Sequence, residues 1–450
     1  MFDTVIVGAG VAGLTAARLL RAAGRSVVVL EARDRIGGRT WTDRSPGFSV
    51  DRGASWIHGL DGNPLTELVE AFGMQTSEFT VGSFQAGGRP IANYDEAGRE
   101  LDAAATEAWL ADAGAVADRL AAAADASEEG DSYADVVERV LDELGWGGER
   151  AERARAFHRH RTEEQCGADN RDVDAHGLDE DAIDGDEVVF PGGYDALATA
   201  LAEGLDVRLG QVVTAVDRSR ADADADADGG ARVRVTTATE SFDARVVVVT
   251  VPLGVLKAGS IAFEPPLPEA VAGAIDRVGM GTFDKVFLQF PERFWQDGAY
   301  AIRRLGADGV PWHSWYDVSV VSGTPMLLTF AGGDWARRIE QMPDDEIVAS
   351  VLEGLRSLYG EAVPEPSGHW ITRWGSDPFS LGSYSYVARG ASYDDHDVIA
   401  TPIDGVLHLA GEATWADCPA TVNGALLSGH RAAERILGEA IPLDRLIAGG

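Results

Sequence analysis

Thr4-Val5-Ile6-Val7-Gly8-Ala9-Gly10-Val11-Ala12-Gly13 opens the stretch that decides the fold, and Ser26-Val27-Val28-Val29-Leu30-Glu31 closes it. The apolar run before Gly8 reads as a buried strand, Leu14 to Ala23 as a helix, and Ser26 to Leu30 as a second, parallel strand. A strand, tight turn, helix and parallel strand in this order bind a dinucleotide. Gly8 permits the turn, Gly10 lets the backbone approach a pyrophosphate, and Gly13 lets the helix pack on the strand. Val11 and Ala12 start the helix, whose free N–H groups and partial positive charge face the phosphates. Glu31, 18 residues past Gly13, is placed to accept the two adenosine ribose hydroxyls. A carboxylate there repels a 2′-phosphate, which disfavours NADP.

The continuation Glu31-Ala32-Arg33-Asp34-Arg35-Ile36-Gly37-Gly38-Arg39-Thr40 adds a second glycine pair and an arginine. Two more backbone N–H groups and a guanidinium are then available to a diphosphate, more than a nicotinamide site usually recruits. At this point the chain resembles the flavin-containing amine oxidases, the group of monoamine oxidases, polyamine oxidases and lysine-specific histone demethylases, and above all the polyamine oxidases. The resemblance implies FAD, with Ala32, Arg33, Gly38 and Arg39 packed around it. The next matching stretch, Asp51-Arg52-Gly53-Ala54-Ser55-Trp56-Ile57-His58-Gly59, implies contact with the isoalloxazine through Gly53, Ala54, Ser55 and Trp56. Val213 matches a valine near the adenine, and Pro252 ends a buried strand beside the cofactor.

At 450 residues the chain exceeds one compact unit, and 45% hydrophobic residues supply a large core. No apolar run approaches the roughly 20 residues that span a bilayer. The first apolar run is already used as the nucleotide-binding strand, so no cleaved secretory signal is expected. Two distant cysteines, Cys166 and Cys418, indicate neither a disulfide framework nor a zinc site. Only His158 and His160 of the nine histidines sit close, with no acid or cysteine motif to complete a ligand set, and no metal is expected. A reducing, cytoplasmic setting fits. The net charge of −35, with lysine only at 257 and 285, repels nucleic acid and anionic membrane. Attraction of a cationic amine is one account of that charge. Adaptation to a salt-rich cytosol is the favoured one, and in molar salt the Debye length is only about 3 Å.

The resemblance covers four blocks, roughly half the chain: the N-terminus to about residue 70, 188 to 257, the stretch around Lys285, and 371 to 436. Cofactor segments thus alternate with those of another domain. The expected fold is a two-domain α/β flavoprotein, its dinucleotide-binding unit assembled from residues 1–85, 188–262 and 400–450. A mixed-sheet and helical substrate unit takes 86–187 and 263–399. The Asp-Ala run within 219–230 reads as a solvated hairpin loop, and 102–128 and 132–157 as amphipathic helix. The acids of 163–187 (Glu163, Glu164, Asp179, Glu180, Asp181, Asp184, Asp186) fit an entrance for polyamines or, preferred here, a solvated surface.

Three later positions carry the chemistry. Lys285, in the alternating run Phe283-Asp284-Lys285-Val286-Phe287, shares a strand face with Phe283 and Phe287. It matches the family lysine that holds a water at flavin N5; a lysine paired with a neighbour such as Asp284 is the alternative. In Arg373-Trp374-Gly375 through Tyr384, Trp374 matches a tryptophan beside the flavin and Tyr384 one wall of an aromatic cage for the amine. Ser383 stands where monoamine oxidases carry the cysteine that bonds the flavin, so non-covalent FAD is expected. In the third, Gly411 and Glu412 arrive on a strand, and a helix beginning near Thr421 with Val422 and Ala425 aims its N-terminus at the flavin pyrimidine.

The second cage tyrosine of monoamine oxidases falls at Thr421, which leaves the cage open on one side. His58 matches a position associated with substrate contacts, and a hydrogen-bonded core histidine reads as well. The resemblance implies hydride transfer from the amine α-carbon to flavin N5. The imine hydrolyses to an aldehyde and an amine, and O2 reoxidises the flavin with release of hydrogen peroxide. Polyamines or other secondary amines are the preferred substrates. An L-amino acid oxidase, or a flavoprotein passing electrons to a partner, is the alternative. No sustained heptad run marks a partner-binding helical insertion, so no macromolecular partner is expected.

Overall fold

The computed structural model describes residues 1–80, 90–178, 184–219, 232–306 and 311–448. The Asp-Ala run, beyond Ser219, and the acids Asp179, Glu180 and Asp181 lie outside the described residues. Two sheets organise the rest. In the larger, the strand Phe2–Val7 lies between Ser241–Val249 and Val27–Leu30, parallel to both. Val207–Arg208 adds a parallel strand beyond Val27–Leu30, and Leu407–Leu409 pairs in parallel with the second half of Ser241–Val249. The first half of Ser241–Val249 turns antiparallel through Val233–Thr237 to Val213–Asp217, and Ala262–Glu264 closes that edge.

The central strands read as unbroken apolar runs because both faces are covered. Ile6, Val29 and Val248 pack under the Val11–Ala22 and Val422–Leu437 helices. Val5, Val7, Val28, Val247 and Val249 face the other way, onto Val271, Ala274 and Ile275 of the Glu269–Arg277 helix. That apolar helix face and Ala262–Glu264 join the larger sheet, which therefore extends past the expected unit boundary at 262.

The second sheet runs Gly368–Ile371, Phe283–Gln289, Met326–Gly332, Ser314–Asp317, Ala301–Arg304, Ile91–Tyr94, antiparallel except for the last pair. The helices Gly333–Ile339 and Asp344–Tyr359 pack on one face of it, and Ala103–Asp125, Tyr133–Leu144 and Gly148–Cys166 belong to the same half of the molecule. The stretch expected as one helix over 132–157 is two, because Gly145 takes a left-handed cap (φ 63°) that ends the first. The Gly148–Cys166 helix carries His160 and Glu164 to the cavity between the sheets. Among the described residues no helix is long and apolar enough to cross a membrane.

Candidate active site

A cavity of about 1130 Å³ runs between the two sheets. Its first end is made of backbone. Gly8 turns the chain at φ 106°, in the region open mainly to glycine, and the Val11–Ala22 helix starts directly after Gly10. A Cβ on Gly13 would lie 2.1 Å from the Gly8 carbonyl oxygen, so helix and strand touch there as the spacing implies. Gly10 differs: a Cβ on it would meet no protein atom within 4 Å, because its face opens on the cavity. Gly38 packs close behind, its own Cβ position 3.3 Å from Gly10 Cα.

Glu31 is buried, with one carboxylate oxygen accepting the Ala9 N–H at 2.8 Å and the other the Arg33 N–H at 2.9 Å. Ala32, Arg33, Val213 and Pro252 line the same end. The Arg33 guanidinium turns away to a bidentate pair with Asp377 at 2.8 and 2.7 Å. Arg39 lines the same end, and its Nη1 donates to Glu412 at 2.8 Å and to the Ser383 carbonyl at 2.8 Å. This pair ties two cofactor segments together. Glu412 is buried, and the Arg39 charge with the Ser385 hydroxyl (2.6 Å) and Ala420 N–H (2.9 Å) holds its carboxyl below the usual range against burial.

Gly53, Ala54, Ser55, Trp56, Gly411, Thr421, Val422 and Ala425 line the middle of the cavity. Thr421 is the N-cap of the Val422–Leu437 helix: its hydroxyl accepts the Gly424 N–H at 2.9 Å and donates to the Cys418 carbonyl at 2.8 Å. Its hydroxyl is thereby spent on starting the helix whose N-terminus faces the cavity. Lys285 is buried, with Nζ donating to Gly53 O (2.5 Å), Ser55 Oγ (2.5 Å) and Asp51 O (3.1 Å). All three ammonium hydrogens thus brace residues 51–55, and Asp284 is not its partner. Burial lowers the Lys285 amine to about 8 despite the opposing pull of Asp51, whose own carboxyl burial raises to about 6.

Trp374 donates its indole N–H to Arg52 O at 3.1 Å and stands edge-on to Trp41, ring centroids 6.2 Å apart. Ser383 Oγ accepts the Phe283 N–H (2.8 Å) and donates to the Phe283 carbonyl (2.9 Å), so the residue in the cysteine's place locks two segments together. Tyr384 reaches past Phe283, ring centroids 5.8 Å apart, and donates its hydroxyl to the Glu164 carbonyl at 2.8 Å. Phe283 stacks on Phe330 at 4.7 Å, and Tyr316 leans on Phe330 at 5.4 Å. His58 is no core histidine: it lies on the cavity wall, more than half exposed, hydrogen-bonded through Nδ1 to the buried Glu187 carboxyl and stacked on Trp56.

Sequence reasoning missed most of this second end. Glu164 was read with the surface acids, yet it lines the cavity, and its carboxylate accepts the Tyr316 hydroxyl at 3.3 to 3.4 Å. Burial raises its carboxyl above the usual range, although the Arg303 charge opposes the shift. The one available signal was helical spacing, since Phe157, His160, Glu164 all fall on one face of Gly148–Cys166. His160 and His313 stack with centroids 3.6 Å apart, and burial keeps both neutral. Glu163 joins them within 4.8 Å, a grouping that linear spacing hid. Parallel stacked rings aim their in-plane lone pairs side by side and not at one ion, and Arg159 Nη2 lies 3.1 Å from His160 Nε2. No metal centre is assigned there.

The first two-thirds of the cavity suit FAD. Gly10 and Gly411 present open backbone to it, and two buried polar atoms on its wall, Trp56 Nε1 and Tyr194 Oη, have no hydrogen-bond partner among the described residues. The sequence model described as "Flavin containing amine oxidoreductase" matches residues 11–437. The chain belongs to this family, and FAD is its cofactor. Human lysine-specific histone demethylase 2 is 33% identical over 96% of this chain and 53% of its own length. Arabidopsis thaliana lysine-specific histone demethylase 1 homolog 1 is 35% identical over 97% of this chain and 52% of its own. The chain thus spans about half the length of these relatives. Polyamine oxidase 4 of Oryza sativa subsp. japonica, 32% identical, is covered over 88% of its length. In fold, the chain resembles putrescine oxidase bound to putrescine, with a TM-score of 0.78 at 23% identity over 97% of this chain and 99% of that one.

Proposed function

We propose that this protein oxidises the C–N bond of a polyamine or other secondary amine that reaches the flavin through the side-chain-lined end of the cavity. FAD, held without a covalent link because Ser383 replaces the linking cysteine, supplies the hydride acceptor, and O2 regenerates it with release of hydrogen peroxide. The observation that carries the reading is Glu164 at the hydroxyl ends of Tyr384 and Tyr316, behind the aromatic faces of Phe283 and Phe330. Aromatic faces tolerate a partly charged amine, and the Glu164 carboxyl beyond them offers a charge-assisted hydrogen bond to a distal ammonium.

Trp374, Tyr384 and His58 flank the amine in this reading, with Thr421 at the helix start below it. Lys285 holds residues 51–55 in place and positions a water for imine hydrolysis or flavin reoxidation after giving up one of its three bonds. The unit of 1–85, 188–262 and 400–450 then serves the cofactor, and 86–187 with 263–399 the amine. The amine must arrive neutral for its lone pair to drive hydride loss, so turnover rises with pH as the substrate deprotonates.

A second reading, oxidation of an L-amino acid, is favoured by Arg303, which lines the same end within the field of Glu164 and Tyr316. Anaerobic bleaching of the flavin band in high salt near pH 9 decides between them. Spermidine, spermine, tyramine, tryptamine and several L-amino acids are compared. Bleaching by a polyamine, with peroxide on readmitting air, is the expected result. Bleaching by amino acids alone moves the assignment to the second reading. Reduction without peroxide makes the protein a donor of electrons to a partner.

A further inference from the structure

Behind Trp374 a buried and a half-buried carboxyl group hold adjacent backbone N–H groups. Asp284 is fully buried on the strand that carries Lys285. Its Oδ1 accepts the Thr372 hydroxyl at 2.8 Å and the Trp374 backbone N–H at 3.0 Å. Its Oδ2 is buried, and no N–H or hydroxyl of the described residues donates to it. The second acid here is Glu340, just past the Gly333–Ile339 helix, which holds the Gly375 N–H next to the Trp374 N–H that Asp284 holds. Glu340 Oε1 in turn accepts the Gly375 N–H at 2.5 Å. A Cβ on Gly375 would lie 2.9 Å from Glu340 Oε2, so the carboxylate rests directly on the backbone.

A buried carboxylate oxygen with no donor, next to a second acid, calls for an O–H, because ionised carboxylates only accept. Two neighbouring negative charges in such a place are also strongly disfavoured. Burial first and Glu340 second push the Asp284 carboxyl well above the usual carboxylate range. Other charges are turned elsewhere: Arg373 pairs with Asp344 at 2.6 Å, and Lys285, one residue along the strand, leaves by the opposite face.

We propose that Asp284 and Glu340 share one proton, and that the pair is a positioning element that sets Trp374 and Lys285 against the flavin. The proposal rests on the reading that these two residues face the flavin. The Thr372 hydroxyl held by Asp284 accepts the Lys285 backbone N–H at 2.8 Å, and the Thr372 N–H donates to the Lys285 carbonyl at 3.0 Å. The backbone of Lys285, Trp374 and Gly375 therefore hangs on one pair of acids. Trp374 completes the circuit through Arg52 O, in the same segment that receives Lys285 Nζ.

The test has two parts. Infrared difference spectra of wild type minus D284N, taken with and without FAD, should show the carbonyl stretch of one neutral carboxylic acid. No such band overturns the shared proton. Flavin content, visible circular dichroism of the bound flavin and the anaerobic reduction rate are then compared across variants. E340A, at a half-buried helix end, should keep its FAD, change the dichroism and slow reduction about 10-fold. E340Q should rescue both readouts, since its amide donates to Asp284 while its oxygen still accepts from Gly375; D284N should likewise rescue what D284A loses. E340A behaving as wild type, or E340Q as impaired as E340A, overturns the positioning role. The dichroism and the infrared band need no substrate, so they decide the proposal even where no amine bleaches the flavin.

Discussion

The two ends of the cavity are built by opposite means. At the dinucleotide end the surface is backbone, with Gly10 and Gly411 leaving room, Gly8 and Gly38 packed close against their neighbours, and the helix starting after Gly10 offering N–H groups. At the amine end the surface is side chain: Glu164, Tyr316, Phe330 and Tyr384, delivered by a helix, two strands and a loop. A backbone site needs the right residue at nearly every step of a short segment. A side-chain site needs single residues at distant positions, so its chemistry can change without disturbing the fold.

Breaking the backbone end should have the largest effect. Gly10→Val projects into open space and strikes no protein atom, so the unfolding temperature of the FAD-free protein should be unchanged. The side chain occupies the diphosphate's place, and FAD affinity should fall by about two orders of magnitude, roughly 3 kcal/mol. Titration of FAD-free protein with FAD, followed by flavin fluorescence, measures it. A variant that still binds FAD normally would remove Gly10 from the cofactor site. Lys285→Met lies where the two ends meet. FAD should stay bound while flavin reduction or reoxidation slows about 10- to 100-fold in stopped flow. Unchanged turnover would leave Lys285 as a brace for residues 51–55 and nothing more.

This contrast explains what could be read in advance. The strand, the glycine turn from Gly8 to Gly13, the helix and the strand before Glu31 were legible because they fall within one short strand-helix-strand unit. Thr421 and Glu412 were legible through a short strand and helix start. Glu164 was not, because an acid in so acidic a chain carries no signal until its helix face is known to point inward. His313, Tyr316 and Phe330 lie on neighbouring strands whose pairing no local pattern specifies. The Arg39–Glu412 pair was hidden for the same reason: the two residues are 373 apart in sequence.

A smaller effect should follow from Glu164→Gln, which probes the side-chain end alone. The amide is nearly isosteric, so FAD content and the flavin spectrum should match wild type. Removing the charge that meets a distal ammonium costs a charge-assisted hydrogen bond, about 1.5–3 kcal/mol, or roughly 10- to 100-fold in KM for a diamine or polyamine. With a monoamine of similar length, which has no distal charge, KM should hardly move. Equal losses on both substrates would mean that Glu164 serves the cage and not the distal group.

A pH signature probes the place where the two ends meet. Lys285 has a folded-state pKa of about 8 against an ordinary 10.5, so between these values the unfolded chain binds more protons than the folded one. Stability then rises with pH across that window, and below it both states are protonated and the burial cost of the ammonium counts in full. Asp51 has the opposite sign: raised from 3.8 to about 6, it binds its proton in the folded state first, and its contribution falls as pH rises through that range. Lysine 285 is also the charge that pulls Asp51 down. In Lys285→Met the alkaline rise should therefore vanish, and the Asp51 decline should extend to higher pH. Thermal unfolding of FAD-free wild type and variant, from about pH 4 to about pH 10.5, yields the difference curve. A curve that is flat above pH 8 would mean a Lys285 ammonium that stays charged in the folded protein. Gly10→Val supplies the contrast, since the backbone it alters carries no titrating group and its difference from wild type should not vary with pH.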